Sequence, residues 1–91
     1  MMEQDRERRV IATIALRTRA YGRHRSRARR ELAEAADRAL KAATDDERQV
    51  YQAEFVEGMN SRRASERIHI SMATYYRIRT KLIDRVADEV G

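Results

Sequence analysis

His24 and His69 are the only histidines, and the chain has no cysteine to complete a metal set with them. A zinc site takes about four closely spaced N or S ligands, so none is expected. Asp45, Asp46 and Glu47 cluster directly after Thr44. That order reads as the opening of a helix, whose positive end favours carboxylates. Ser61, Ser65 and Ser71 lack the base and orienting acid that nucleophilic catalysis needs. No glycine-rich phosphate loop occurs. The expectation is no enzyme, no catalytic residue, no metal and no cofactor. Binding chemistry remains. Between Ser61 and Thr80, Arg62, Arg63, Arg67 and Arg77 stand among apolar residues at helical spacing. Arginine pairs with phosphate and with guanine alike.

The rest of the chain has to position that segment. Its 91 residues make one small domain, which buries a modest core. There is no proline, there are 3 glycines, and alanine, arginine, glutamate and leucine abound. The fold class predicted is all-α: a small helical domain with a C-terminal helix-turn-helix preceded by one or two long N-terminal helices. The absence of cysteine fits a reducing cytoplasm. No apolar run spans a bilayer and no signal peptide is visible, so no membrane partner is expected.

The net charge of +5 is unevenly spread. Residues 17–30 carry seven arginines and no acid, residues 31–57 carry eight acids against three bases, and residues 58–83 carry six bases against one acid. Two basic blocks flanking an acidic one attract polyanions without specifying sequence. The first block, at 17–30, reads equally as a nucleic-acid-contacting arm or as a solvated helix face.

Residues 3–21 read as a helix with a narrow apolar stripe of Val10, Ile14 and Tyr21, flanked by Ile11 and Leu16. The helix either breaks near 22–26 or runs on. Residues 27–43 resume helical character, with Leu32, Ala36, Leu40 and Ala43 on one side. Thr44 and Glu47 form a capping box. That helix runs to about Glu57, presents Val50, Tyr51 and Phe55, and ends at Gly58 in a left-handed conformation. Asn60 or Ser61 starts a short helix ending near Ile68. His69 and Ile70 form a turn, and Ser71 caps a last helix reaching about Val90. The expected division is an N-terminal helical segment at 1–43, for dimerisation and/or as a basic arm, and a helix-turn-helix domain at 44–91, whose suitability for DNA rests on the residues that follow.

A helix-turn-helix locks two helices at a steep angle with apolar residues at fixed places. Ala64, Ile68, Ile70, Tyr75 and Ile78 fall on those places, with the small Ser65 at the crossing. His69 stands where the turn calls for glycine, in a left-handed conformation that histidine tolerates less readily. With Tyr75 and Ile78 inward, Met72, Ala73, Tyr76, Arg77 and Thr80 point outward. Met72, Ala73 and Tyr76 suit apolar base edges, and Arg77 suits guanine or phosphate. Ser61, Arg62, Arg63 and Arg67 precede them, the arginines suited to phosphates. Ser71 completes the candidate DNA-binding set. Tyr75 and Tyr76 cannot form one stacking platform, because neighbouring helical side chains diverge by about 100°.

The string Tyr51…Gly58-Met-Asn-Ser-Arg-Arg-Ala-Ser-Glu-Arg-Ile-His-Ile-Ser-Met-Ala-Thr-Tyr-Tyr-Arg, followed by Lys81-Leu-Ile-Asp-Arg-Val-Ala, resembles the ArpU/RinA-type phage transcriptional regulators. These are in turn similar to the promoter-reading region-four domain of sigma factors. The marks are Ile70-Ser71, the block Thr74–Arg77 and an aliphatic tail ending in glycine. The resemblance covers Thr44 to Gly91. It implies an activator of late phage or prophage genes, with Ser71 to Arg77 as its recognition surface.

Leu82, Ile83, Val86 and Val90 continue the apolar stripe of the last helix beyond the motif. They are expected to pack on residues 3–21, within the chain or across a homodimer with the N-terminal helices in the interface. The partner expected is double-stranded DNA, with RNA polymerase as a further one. A DNA-binding module of a packaging or recombination complex, like a small terminase subunit, is the alternative.

Overall fold

In a computed structural model the described residues are 2–24 and 26–91, Met2 by its backbone only. All regular structure among them is helical: α1 (Met2–Tyr21), α2 (Arg27–Ala42), α3 (Asp45–Val50) continuing into a π-helical segment (Tyr51–Val56), α4 (Ser61–Arg67) and α5 (Met72–Val90). No described helix is long and apolar enough to cross a membrane.

The helix ends follow local chemistry. Ser26, Thr44, Asn60 and Ser71 each adopt extended backbone and accept a hydrogen bond from the N–H three residues on. Each satisfies one of the donors that a helix N-terminus leaves free. Asn60, rather than Ser61, is the cap of α4. Gly58 has φ +74° and closes the π segment, with the Met59 N–H donating to the Ala53 carbonyl. The basic run does not continue as one helix: α1 stops at Tyr21, and Gly22 takes φ +71°. Arg25, part of that run, lies outside the described residues.

One core joins both halves of the chain. Ala12, Ala15 and Leu16 of α1 meet Ala36, Ala39 and Leu40 of α2, Val50 and Tyr51, and Tyr75, Leu82 and Val86 of α5. The many alanines let the helix axes approach closely. α5 packs on α1 within the chain. Contacts of Arg8 with Asp88 and Arg9 with Asp84 show that the two helices run antiparallel. The stripe read from the sequence of α1 is not the buried one. Val10, Ile14 and Tyr21 are 52%, 45% and 82% exposed. Val10, Ile14 and Tyr21 face away, and Ala12, Ala15 and Leu16 supply the close face.

The π segment was not foreseen. Within it Tyr51 and Phe55 stack, with ring centroids 6.0 Å apart and planes 16° from parallel. The Arg19 guanidinium covers Tyr51 at 5.4 Å, and that of Arg79 covers Phe55 at 6.0 Å. Cation–π contact at both ends of the stack ties α1 and α5 to this segment.

Candidate nucleic-acid interface

The unit α4–turn–α5 carries every candidate DNA-binding residue. At its turn His69 has φ +59°, the one described non-glycine residue at positive φ. The His69 N–H donates to the Glu66 carbonyl, and the Ile70 N–H to the Ser65 carbonyl. A left-handed backbone costs an L-residue about 1–2 kcal/mol, partly offset in a glycine by its greater unfolded-state entropy. His69→Gly is therefore expected to stabilise the fold by about 0.5–1 kcal/mol. A thermal melt should show a rise of about 2–8 °C. A fall in melting temperature would mean that the imidazole makes contacts worth more than the strain.

Behind the turn, Ala64 and Ser65 are buried, and Ile68, Ile70 and Ile78 pack against the core. The Ser65 hydroxyl lies 2.8 Å from the Arg62 carbonyl oxygen and 3.1 Å from Met72 Sδ. It can donate to one at a time. The thioether side of that contact joins α4 to the first turn of α5, so Met72 is partly a crossing residue.

Tyr75 fixes the rotation of α5. It is wholly buried, and its hydroxyl donates to Glu54. Burial, then the Glu54 carboxylate, pushes its pKa above the usual phenol value. Arg79 donates to both carboxylate oxygens of Glu54 at 2.9 Å. That bond, working against desolvation, raises the pKa of the guanidinium. Glu54 and Arg79 were missed in the sequence because their partners lie more than twenty positions away.

With Tyr75 inward, Ala73, Tyr76, Arg77 and Thr80 are all exposed. At 100° per residue they span an arc of about 100° on one side of α5. Tyr76 is 50% exposed and stands edge-on to Tyr75, ring centroids 6.0 Å apart. Met72 borders this arc at 37% exposure. Ser71 spends its hydroxyl on the helix, accepting from the Thr74 N–H at 3.2 Å, so its role is to hold the N-terminus of α5 in place.

The arginines of α4 are differently committed. Arg62 lies 3.9 Å from Glu66, and Arg67 lies 3.5 Å from Glu57. Both contacts are long and exposed, and such pairs contribute little. Arg63 and Arg77 have no carboxylate partner among the described residues. Ser61 is half-buried and lines a hollow with Asn60, Arg17 and Tyr21. A cleft of about 680 Å³ between α1 and α5 brings Arg6 and Arg17 to the same rim as Thr80. α1 thus adds positive charge beside α5.

The first basic block is divided. Arg19 is held by Asp37, at 3.0 Å, and by the Tyr51 hydroxyl, and Arg27 pairs with Glu31, while Arg29 and Arg30 are exposed. His24 is half-buried with Nδ1 unpartnered. Among the described residues no group of three or more His, Cys, Asp or Glu side chains is placed to hold a metal ion. Comparison with protein-family models, curated proteins and solved structures found no match to this chain.

Proposed function

We propose that this protein is a sequence-specific double-stranded DNA-binding transcription regulator, in which α4, the His69 turn and α5 act as a helix-turn-helix. The observation that carries this reading is the exposed arc of Ala73, Tyr76, Arg77 and Thr80, held outward by the buried Tyr75. An α-helix fits the major groove, where base edges present a distinct pattern for each pair. Arg77 supplies the fork for guanine, and Tyr76 and Ala73 supply apolar contact for thymine methyls. Arg62, Arg63 and Arg67 supply the phosphate contacts that set register. The resemblance of residues 44–91 to ArpU/RinA-type regulators extends the proposal to promoter DNA of late phage or prophage genes, with RNA polymerase as the further partner.

Selection of bound sequences from a random duplex library tests it, and an enriched motif is expected. Arg77→Ala and Tyr76→Ala are expected to lose the preference for that motif, at about 1–3 kcal/mol each, with unchanged far-UV circular dichroism. Arg62→Ala and Arg63→Ala are expected to weaken binding to all duplexes alike and to lower the salt slope by about one each. Undiminished motif affinity in both α5 variants would remove α5 as the reading element. A ring-sized oligomer in solution would favour the packaging module instead.

A further inference from the structure

The outer face of α1 has an unused pattern. Glu3, Glu7, Val10, Ile14, Arg17 and Tyr21 recur at alternating steps of four and three, the spacing of a coiled-coil seam. They lie on the side of α1 opposite Ala12, Ala15 and Leu16, which the core buries. Val10, Ile14 and Tyr21 are about half exposed or more. None of Glu3, Glu7 and Arg17 has an ion-pair partner among the described residues, whereas Arg8 and Arg9 are turned aside to Asp88 and Asp84. The seam is therefore apolar at its centre, acidic at one end and basic towards the other.

We infer that this seam binds a second copy of the chain, α1 against α1, antiparallel about a two-fold axis between Val10 and Ile14. In that register Val10 meets the partner's Ile14, and Ile14 meets the partner's Val10. Glu7 meets the partner's Arg17, and Arg17 the partner's Glu7. Glu3 falls beside the partner's Tyr21. A two-fold contact must be self-complementary, and this pattern is so in one direction only. A parallel pairing would set Glu7 against Glu7 and Arg17 against Arg17, which repel. The antiparallel pairing unites opposite charges in both outer layers and closes the apolar layers between them. One pair of helices of this length makes a contact at the small end of specific interfaces, at or below roughly 1,200 Å² in all, so association in the micromolar range is expected.

The inference does not rest on DNA binding. It does set the geometry of such binding, because the seam borders the cleft that holds Thr80. The two α5 helices of the dimer then lie beside the axis.

Sedimentation equilibrium on the full chain, without DNA, tests the register. The wild type is expected to associate to a dimer over the micromolar range. Glu7→Arg leaves two positive charges facing each other in each outer layer, and Arg17→Glu leaves two negative ones. Each variant alone is expected to dimerise about tenfold more weakly or worse. Mixed in equal amounts, the two variants restore both opposite-charge layers, and a heterodimer of wild-type affinity is expected. Both substituted positions are exposed, and unchanged circular dichroism checks that each chain folds. A wild type monomeric throughout, single variants as dimeric as the wild type, or a mixture that stays monomeric would each overturn the inference.

Discussion

Tyr75→Ala is expected to remove a large share of the stability of this protein, and Tyr76→Ala almost none. The two tyrosines are adjacent and chemically identical, so the contrast isolates their surroundings. Tyr75 is wholly buried among residues from several helices, with its hydroxyl on Glu54. Truncating a buried aromatic costs about 3–5 kcal/mol, through lost transfer energy and the cavity left behind. The variant also strips Glu54 of its neutral donor and leaves Arg79 to hold the carboxylate alone. A chain of 91 residues has roughly 5–14 kcal/mol in all, so a melting point lowered by on the order of 20 °C is expected. Tyr75→Phe keeps the volume and gives up the hydroxyl bond to a carboxylate, at about 1.5–3 kcal/mol. Tyr76 is half exposed, and its removal should stay within about 0.5 kcal/mol. Thermal melts followed by circular dichroism decide the matter. Equal losses at both positions would mean that α5 is rotated from the orientation described, and the exposed arc of Ala73, Tyr76, Arg77 and Thr80 would no longer be the outward one.

That orientation was legible from the sequence, and the reason is local. Ile68, Ile70, Tyr75 and Ile78 recur at helical spacing around a turn bounded by Ser71, and each constraint acts within a few residues. The same holds for Thr44 with Glu47, and for the left-handed residues at Gly58 and His69. The rotation of α1 was not legible. Val10 and Ile14 look like a core stripe by hydrophobicity, yet burying Ala12 and Ala15 lets α1 approach α2 and α5 more closely. That choice depends on the shape of the partners, which spacing within α1 does not encode. The Arg19–Tyr51–Phe55–Arg79 stack and the Glu54 bonds were missed for the same reason, since each joins residues distant in sequence. Of the candidate interface, residue types and outward direction could be read from spacing. The cleft that places Arg6 and Arg17 beside Thr80 could not.

The Glu47–Arg85 pair yields a prediction whose size changes with pH. Thr44 and Glu47 form the expected capping box, the Glu47 N–H donating to the Thr44 hydroxyl at 3.2 Å. Glu47 is, however, almost wholly buried, and Arg85 of α5 reaches it with N–H donors at 2.7 and 3.2 Å. Burial alone would raise the pKa of this carboxyl. The Arg85 hydrogen bonds and charge outweigh it, with help from Thr44, and hold the pKa below its ordinary value of 4.5. A carboxyl depressed on folding contributes stability that is present above its unfolded pKa and lost as pH falls through the folded one. Arg85→Ala leaves the carboxylate buried with only the Thr44 cap. At neutral pH this is expected to cost about 2–3 kcal/mol, less than for a fully enclosed pair because water reaches Arg85. Without the guanidinium, burial prevails and the pKa of Glu47 rises above its ordinary value. Protonation then relieves the variant while it penalises the wild type. The deficit of Arg85→Ala should therefore shrink as pH is lowered through the range around 4.5. Urea unfolding at neutral pH and at mildly acid pH, for both proteins, measures it. A deficit that stays constant with pH would show that the cost comes from lost packing of the Arg85 stem on α3, and that the charge of Glu47 is not what anchors α5 to the helix start at Thr44.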